Sequence, residues 1–463
     1  MLYSDSDIFA LLGNERPGRE LIAIEDAALP VTIVRTTVLA QERKEVPLLD
    51  EYVLRLIRGG VEDGAELAAF LGLEVPIVEG ALAEQARWGN LVLPDGHRSL
   101  GLTPLGERVV QDLESVVPVQ KDVPVAFDRL TWSVANYRRS DLIQAKDARS
   151  AGMYMLPASS KARISMPDVP PQQIAGLVES GSIDIRRSFE VLAVKKVTPS
   201  AHLYLPVKML IYGDSARGET DIAVSIDGIL SPEHENRIAN RGGALSLGVR
   251  VGEPAAPPAI PGEFESVKIK LEDVFELRTD DSSRRTPKGD RGSRHRSGTN
   301  ARTTLEECVA RDIAPGEQPD LLNHALECAS ERIMIRSSGL RAGVFNSTIA
   351  NWLDNRLRKG VKVHIGYTQK DGDFIVDDSA VSRLNSLSSR FPNLIVGEFH
   401  DDSPNVLLFD NTVVFSTSGW LSYKGIRTGP YRREAGVLVR SKELSDEIFD
   451  RNSSSFPDRS QEV

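Results

Sequence analysis

Apolar residues follow two different periods along this chain, one typical of helices and one typical of strands. Residues 31–39 are rich in β-branched side chains, which predicts a strand within an N-terminal segment formed by residues 1–45. Strand-like runs return over residues 189–227 and are separated by turn sequences. With the helical stretches around them, these runs predict a mixed α/β domain over residues 116–277, for which the sequence suggests no family.

Residues 46–115 instead carry apolar side chains at helical spacing. Pro47 opens the first helix, two further helices follow, and two short strands meet at the turn Pro94-Asp95-Gly96. Thr103 is placed to cap a closing helix. Three helices, a hairpin and a last helix predict a winged helix-turn-helix domain.

The charge of the third helix in this domain bears on what the domain binds. A helix that enters the DNA major groove should bring net positive charge to the phosphates. This helix carries Glu79 and Glu84 against Arg87. We therefore favour partner binding or a spacer role over DNA reading, and we expect Trp88 to pack in the core beneath the wing.

Composition narrows the class of protein further. The 463 residues carry a net charge of −10, which argues against a protein that coats nucleic acid over its whole surface. Cys308 and Cys328 are the only two cysteines, so a disulfide framework and a cysteine-rich zinc site are excluded. The start of the chain does not resemble a signal peptide, and no apolar run is long enough for a membrane span. We expect a cytoplasmic protein that does not bind membranes.

Residues 278–304 differ sharply in composition from the rest of the chain. Arginine and lysine stand there among serine, threonine, glycine and aspartate, with hardly a large apolar side chain. Such a segment cannot bury enough surface to order itself, so we predict a basic flexible linker. Arg284, Arg285 and Arg294 are its candidate phosphate contacts, although a merely soluble tether is an equal alternative. Residues 451–463 are predicted to be a disordered tail.

The C-terminal part of the chain carries the most informative pattern. Residues 332–338 and 360–367 are predicted buried strands, with a helix over residues 346–358 between them. Residues 399–425 then read FHDDSPNVLLFDNTVVFSTSGWLSYKG, and Glu434 follows. This order resembles a single module of the phospholipase D superfamily, whose members carry H-x-K-x4-D on a strand, then a Gly-Ser turn, an Asn and a later Glu. The resemblance implies an α/β phospholipase-D-like domain, which we assign to residues 305–450.

The resemblance also shows where the chain departs from the family motif. If Asp410 matches the motif Asp, an ungapped count places Ser403 at the His position and Asn405 at the Lys position. Alternatively, His400 is the motif His and three residues are inserted before Asn405. The Lys is absent under either alignment. In this family an imidazole attacks phosphorus while lysines stabilise the phosphoryl oxygens, and losing such a charged donor costs on the order of 3 kcal/mol.

The resemblance therefore implies a degenerate site. Ser416-Thr417-Ser418 stands where Gly-Ser is expected, and Gly419 stands where Asn is expected. The candidate catalytic residues that survive are His400, Asp410, Ser418 and Glu434. Basic residues after the turn, at Lys424, Arg427, Arg432 and Arg433, are candidates for holding a DNA or RNA phosphate backbone without cleavage. No nucleotide-loop or zinc-protease motif is present, so we expect no metal and no cofactor.

Three functional hypotheses follow from these observations. The leading one is a bacterial nucleic-acid-associated accessory protein with an inactive phospholipase-D-like domain. By analogy with the family, such a protein belongs to a multi-gene antiviral defense system acting on foreign DNA, in which a helicase or ATPase partner supplies energy or cleavage. The alternatives are a homodimeric, metal-independent nuclease or phosphodiesterase, paired through the C-terminal domain, and a protein-interaction scaffold.

Overall fold

The computed structural model shows a multidomain α/β protein. It describes residues 4–93, 100–180, 189–214, 219–282, 305, 307–368, 375–400, 404–424 and 429–456. Two seven-stranded sheets and a small two-stranded sheet organise these residues. No helix in these ranges has both the length and the apolar character needed to cross a bilayer.

The first large sheet is built around two very long antiparallel strands. Its strands are β1 (Glu20–Glu45), β4 (Glu114–Asp128), β5 (Ser133–Ala135), β6 (Tyr154–Met155), β7 (Phe189–Asp214), β8 (Glu219–Ile226) and β9 (Ile229–Leu230). They lie in the order β5-β4-β1-β7-β8-β9, with β6 parallel to β1. Their helices are α1 (Asp5–Leu12), α6 (Ala145–Ser150), α7 (Pro171–Glu179), α8 (Pro232–Ala239), α9 (Gly243–Ser246), α10 (Gly262–Glu265) and α11 (Leu271–Ser282).

This sheet corrects the predicted separation of residues 1–45 from residues 116–277. β1 is far longer than the predicted strand at residues 31–39, and it pairs with both β4 and β7. The two segments therefore form one unit. The pairing of β1 with β7 joins residues up to 193 positions apart, as in Glu20 and Gly213, and a local hydrophobic period carries no information about such a partner.

The winged helix-turn-helix domain is an insertion between β1 and β4, and its prediction is confirmed. It comprises α2 (Leu48–Arg58), α3 (Gly64–Leu71), α4 (Val75–Arg87), β2 (Leu91–Val92), β3 (Gly101–Leu102) and α5 (Pro104–Asp112). Glu45 pairs with Glu114, so the domain leaves the sheet and returns to it at one point. Val53, Leu67 and Val78 are buried at the centre of its core. The predicted turn at residues 94–96 lies outside the described residues.

Trp88 departs from its predicted place in this domain. It follows α4 and is 48% exposed, so it is not the buried core residue that we expected. The core positions of α4 are taken by Val78, Ala81 and Leu82, which leaves the indole at the surface.

The C-terminal domain is a mixed sheet covered by helices. Its strands are β10 (Ala310–Asp312), β11 (Arg332–Ser338), β12 (Lys362–Thr368), β13 (Leu394–Phe399), β14 (Asn405–Phe409), β15 (Thr412–Ser416) and β16 (Gly436–Arg440). Its helices are α12 (Gln318–Cys328), α13 (Ser347–Arg358), α14 (Asp378–Arg390) and α15 (Lys442–Ser453). The strand order is β10-β16-β15-β14-β11-β12-β13, in which β11, β12 and β13 run parallel. One core joins the sheet to α12, α13 and α14, and a second joins its other face to α15.

Two predicted segment boundaries differ from the structure. α11 continues to Ser282, inside the predicted linker, and residues 283–304 lie outside the described residues. The predicted tail begins too early, because α15 reaches Ser453 and the buried Phe456 ring lies 5.1 Å from the His364 ring and 5.2 Å from the Phe399 ring. Burial of this aromatic side chain holds residues 451–456 against the sheet.

Candidate functional site

The candidate site lies at one end of the C-terminal sheet, where β11 ends and β14 begins. Asn405 at the start of β14 pairs with Ser416 at the end of β15, and Ser416 pairs with Gly436 at the start of β16. Glu434 comes two residues before Gly436. The antiparallel register therefore brings the predicted Lys-position residue, the altered Gly-Ser turn and the candidate Glu to the same edge of the sheet.

Asn405 has a structural partner at this edge. Its side-chain oxygen accepts a hydrogen bond from the backbone N–H of Ser338 at 2.6 Å, and the residue is only 9% exposed. A neutral amide thus occupies the position that the resemblance gives to a lysine, and it is committed to holding the ends of β11 and β14 together. An amide used in this way supplies no positive charge for a phosphoryl oxygen.

The turn after β15 is held by a set of short polar contacts. Ser418 donates its hydroxyl to the Gln318 side-chain oxygen at 3.1 Å, and the Gln318 amide donates back to the Ser418 carbonyl at 3.1 Å. Thr417 donates its backbone N–H to the Ala435 carbonyl at 2.9 Å. The Ser418 hydroxyl, a candidate ligand for phosphoryl oxygens, therefore donates its hydrogen bond to the Gln318 side chain at the start of α12.

Gly419 is required by close approach. A β-carbon at this position would collide with the Ser338 carbonyl and would lie 2.9 Å from the Ser337 hydroxyl oxygen. The Ser337 hydroxyl also accepts from the backbone N–H of Leu421 at 2.8 Å, and the Ser422 hydroxyl donates to the Ser338 carbonyl. The turn therefore packs directly against the end of β11. The family resemblance predicts an asparagine at position 419, but the space there admits only glycine.

His400 lies at the same end of the sheet but on its outer strand. It is exposed and directly follows β13, which is separated from β14 by β12 and β11. Three strand spacings correspond to about 14 Å between the backbones of His400 and Asn405. Glu434 lies on the opposite side of β14, so the strand order separates it further from His400. Ser403, the other candidate for the His position, lies outside the described residues, and the choice between the two alignments stays a prediction.

Asp410 is at the opposite end of β14, in the hairpin to β15. Its backbone has a φ of 48°, and its carboxylate accepts backbone N–H bonds from Ser330, Glu331 and Arg332 at 2.8 to 3.2 Å. Burial alone would raise the pKa of Asp410, but these donors outweigh it and the pKa is lowered. The carboxylate ties the hairpin to the start of β11. It lies a strand length, about 17 Å, from Asn405.

Lys424 follows the turn and meets the N-terminal sheet. Its ammonium donates to Asp26 of β1 at 2.6 Å, and Asp26 also accepts from Lys208 of β7 at 2.6 Å. Lys208 is bonded in turn to Asp5 of α1 at 2.5 Å. We name these four residues the interface charge cluster. It joins the two large sheets.

Electrostatic coupling within this cluster is strong. Burial favours the neutral form of Asp26, but Lys424 and Lys208 outweigh that effect and lower its pKa to about 2. Burial would lower the pKa of both lysines, yet their carboxylate partners raise it. Asp26, Lys208 and Lys424 are therefore all charged at neutral pH.

Of the remaining predicted phosphate contacts, the structure describes Arg432 and Arg433. Arg433 is bonded to Glu20 of β1 at 3.0 Å in an exposed pair, and Arg432 is exposed beside it. Arg427, Arg284, Arg285 and Arg294 lie outside the described residues. Among the ranges that the structure describes, no group of three or more His, Cys, Asp or Glu side chains could hold a metal ion.

Comparisons with known proteins give partial similarities. No family model and no curated protein matches the sequence. Among solved structures, TrmBL2, an archaeal chromatin protein, matches 34% of this chain at 14% identity, and the chain covers 58% of its length, with a TM-score of 0.24. Nuc from Salmonella typhimurium, a phospholipase D family member, matches 28% at 15% identity over 82% of its own chain, with a TM-score of 0.21. NucT from Helicobacter pylori matches 31% at 16% identity over 94% of its own chain, with a TM-score of 0.24. These scores assign the chain to no family.

Sequence reasoning missed several residues that shape this site. Gln318 bonds to Ser418 in the turn, and the backbone N–H of Ser338 bonds to the Asn405 side chain. Asp26 accepts a hydrogen bond from Lys424. Asp26 is nearly 400 residues away from Lys424 in the chain. No motif or spacing links such residues, because they meet only after both sheets have formed.

Proposed function

We propose that this chain is a nucleic-acid-associated accessory protein whose phospholipase-D-like domain does not cleave phosphodiesters. The observation that carries this proposal is the environment of Asn405. The position that the resemblance assigns to a lysine holds a buried amide, and that amide accepts a hydrogen bond from Ser338. A cleavage site of this type needs a cation where negative charge develops in the transition state.

The nearest basic residue after the turn is a poor substitute for that cation. Lys424 is bonded to Asp26, whose side chain is only 7% exposed. Turning the ammonium toward a phosphate at the sheet end would leave a buried carboxylate with one cation fewer. Breaking a buried ion pair typically costs 3–5 kcal/mol, which is comparable to the whole benefit expected from one transition-state contact.

Binding of a phosphate backbone needs exposed positive charge rather than a reactive group. Arg432, four residues before β16, supplies such an exposed charge. Arg427 and the arginines of residues 283–304 are further candidates from the sequence. The overall charge of −10 means that any binding of this kind is local, and it should weaken with salt in proportion to its number of phosphate contacts.

The experiment that tests this proposal measures retention and cleavage together. Labelled single- and double-stranded DNA and RNA are incubated with the full-length protein, with and without EDTA, between 50 and 200 mM salt. We expect salt-sensitive retention and intact nucleic acid. Metal-independent cutting that disappears in His400→Ala, but persists in a His324→Ala control at another exposed histidine of the same domain, would establish the homodimeric nuclease instead.

The proposed biological setting follows from the family resemblance. We infer a role in a bacterial multi-gene defense system, with a helicase or ATPase as partner and the C-terminal domain as a candidate dimer contact. Co-purification from cells that express the neighbouring genes tests this setting. Its failure would leave the binding proposal intact.

Protein docking through the winged helix is a second candidate function, and one observation favours it. Val75, Ile77 and Trp88 at the two ends of α4 are 40%, 47% and 48% exposed, while Glu79 and Glu84 give the helix an acidic surface. Exposed apolar side chains beside carboxylates suit a basic, partly apolar protein surface better than DNA. Absence of salt-sensitive retention for every nucleic acid tested would favour docking as the main role.

A further inference from the structure

Three polar side chains, one at the end of a strand of the N-terminal sheet and two at the start of the helix α8, form a continuous hydrogen-bonded row. The Ser231 hydroxyl lies 2.6 Å from Nδ1 of His234, and Nε2 of His234 lies 2.9 Å from the Asp128 carboxylate. Ser231 stands between β9 and α8, His234 is in the first turn of α8, and Asp128 ends β4. The row thus joins parts of the chain that are about 100 residues apart.

The surroundings of Asp128 fix the direction of the hydrogen bonds. The residue is fully buried, and its carboxylate accepts from Tyr137 at 2.8 Å and from the backbone N–H groups of Leu130 and Thr131 at 2.7 and 3.0 Å. An acceptor-only carboxylate requires a proton on Nε2 of His234. When the ring carries only this proton, Nδ1 is a lone-pair acceptor to which the Ser231 hydroxyl donates.

The imidazole itself is shielded while the serine can be reached. His234 is 4% exposed, whereas Ser231 is half-buried. Ile229, two residues earlier on the same side of an extended segment, is 73% exposed and offers an apolar contact beside the hydroxyl. Ser231 is the N-cap residue of α8 but makes no side-chain capping bond, so its oxygen is engaged with His234 instead.

The start of α8 supplies hydrogen-bond donors next to this oxygen. The first backbone N–H groups of a helix have no partner within the helix, and Pro232 leaves those of Glu233 and His234 as the nearest. Such donors stabilise an oxyanion that forms beside them.

We propose that Ser231, His234 and Asp128 form a serine-nucleophile site that hydrolyses carboxylic esters, separate from the phosphodiester-like end of the C-terminal sheet. Ser231 is the nucleophile, His234 is the general base, and Asp128 is a positioning residue that holds the histidine tautomer. The arrangement is that of a Ser-His-Asp triad in which the two ring nitrogens have exchanged roles.

The reaction balances with water as the second substrate. The Ser231 oxygen bonds to the acyl carbon while its proton passes to Nδ1 of His234. The C–O bond to the alcohol then breaks, and the alcohol leaves with that proton. Water attacks the acyl-serine, giving its proton to Nδ1, and Ser231 recovers a proton as the carboxylic acid departs.

Covalent labelling tests this proposal directly. Full-length protein is treated with a fluorophosphonate probe, and the modified peptide is identified by mass spectrometry. We expect one adduct at Ser231, with labelling at least 100-fold slower in His234→Gln, whose amide can still donate to Asp128 but cannot act as a base. Hydrolysis of p-nitrophenyl acetate should fall by a similar factor in Ser231→Ala.

A matched control separates reactivity from structural disturbance. Ser246→Ala removes another helical serine, whose hydroxyl donates to the Gly243 carbonyl at 2.7 Å, and it should leave labelling unchanged. Circular dichroism of each variant checks folding. An adduct at a different residue, no adduct on the folded wild-type protein, or equal labelling in His234→Gln would overturn the proposal and leave the row as a structural network.

Discussion

Removal of Asp26 should weaken the contact between the two large sheets more than any exposed ion pair does. Its carboxylate lies 2.6 Å from the ammonium groups of both Lys208 and Lys424, and its side chain is 7% exposed. Asp26→Asn keeps the size of the side chain but removes the carboxylate that Lys424 contacts. Loss of one member of a buried charge cluster typically costs 3–5 kcal/mol, and we expect about 3 kcal/mol here.

The lowered pKa of Asp26 gives a second value for its contribution to the free energy of unfolding, and it predicts how that contribution depends on pH. Because the pKa of Asp26 falls from its ordinary 3.8 to about 2 on folding, its ionisation contributes about 2 kcal/mol to the free energy of unfolding. A lowered pKa stabilises the folded state fully above about pH 5, and this contribution is lost as the pH falls toward 2. The difference between wild type and Asp26→Asn should therefore shrink over that range.

Native-state hydrogen exchange of β1 and of residues 417–424 measures the opening free energy of this interface without assuming two-state unfolding of a multidomain chain. Arg433→Gln is the matched control, because it breaks the exposed pair with Glu20 at the same interface and should cost under about 1 kcal/mol. A change below about 0.5 kcal/mol in Asp26→Asn at pH 7, or an unchanged difference down to pH 2, would refute the reasoning.

Three further predictions concern the C-terminal domain. Asp410→Ala should lower the free energy of unfolding by about 2–3 kcal/mol, since backbone donors lose their acceptor, and it should leave nucleic-acid retention unchanged. Gly419→Ala should lower the melting temperature, with a cost of about 1–3 kcal/mol from the collision with Ser338, whereas Gly429→Ala, with no atom within 4 Å of the new methyl group, should not. Arg432→Ser should reduce the slope of log affinity against log salt by about one without changing stability. An unchanged slope would remove Arg432 from the proposed contacts.

The elements that the sequence predicted well are those whose signal is local. The winged helix was predictable because its helices have a clear apolar period, Thr103 caps its last helix, and the domain lies within one continuous segment. The order of strand, helix and strand after Arg332 was equally local. In both cases neighbours in the chain are neighbours in the fold.

The features that the sequence did not predict depend on distant partners. The pairing of β1 with β7 spans up to 193 residues, and the bond from Lys424 to Asp26 spans nearly 400. Trp88 was misplaced for another reason, because an aromatic side chain at a helix end is compatible with either a core or a surface position. Only the packing of Val78 and Leu82 decides which it is.

Polar contacts at this end of the C-terminal sheet bear on the proposed loss of phosphodiester cleavage. Asn405 bonds to the end of β11, Ser418 exchanges hydrogen bonds with Gln318, and the Ser422 hydroxyl bonds to the Ser338 carbonyl. These three side chains therefore each have a partner within the protein. Such groups stabilise the folded state whether or not a ligand arrives, since a buried polar group without a partner would cost about 1–3 kcal/mol. Under the proposed function, the hydrogen bonds that maintain the shape of this sheet end are the same ones that occupy the side chains which cleavage would need.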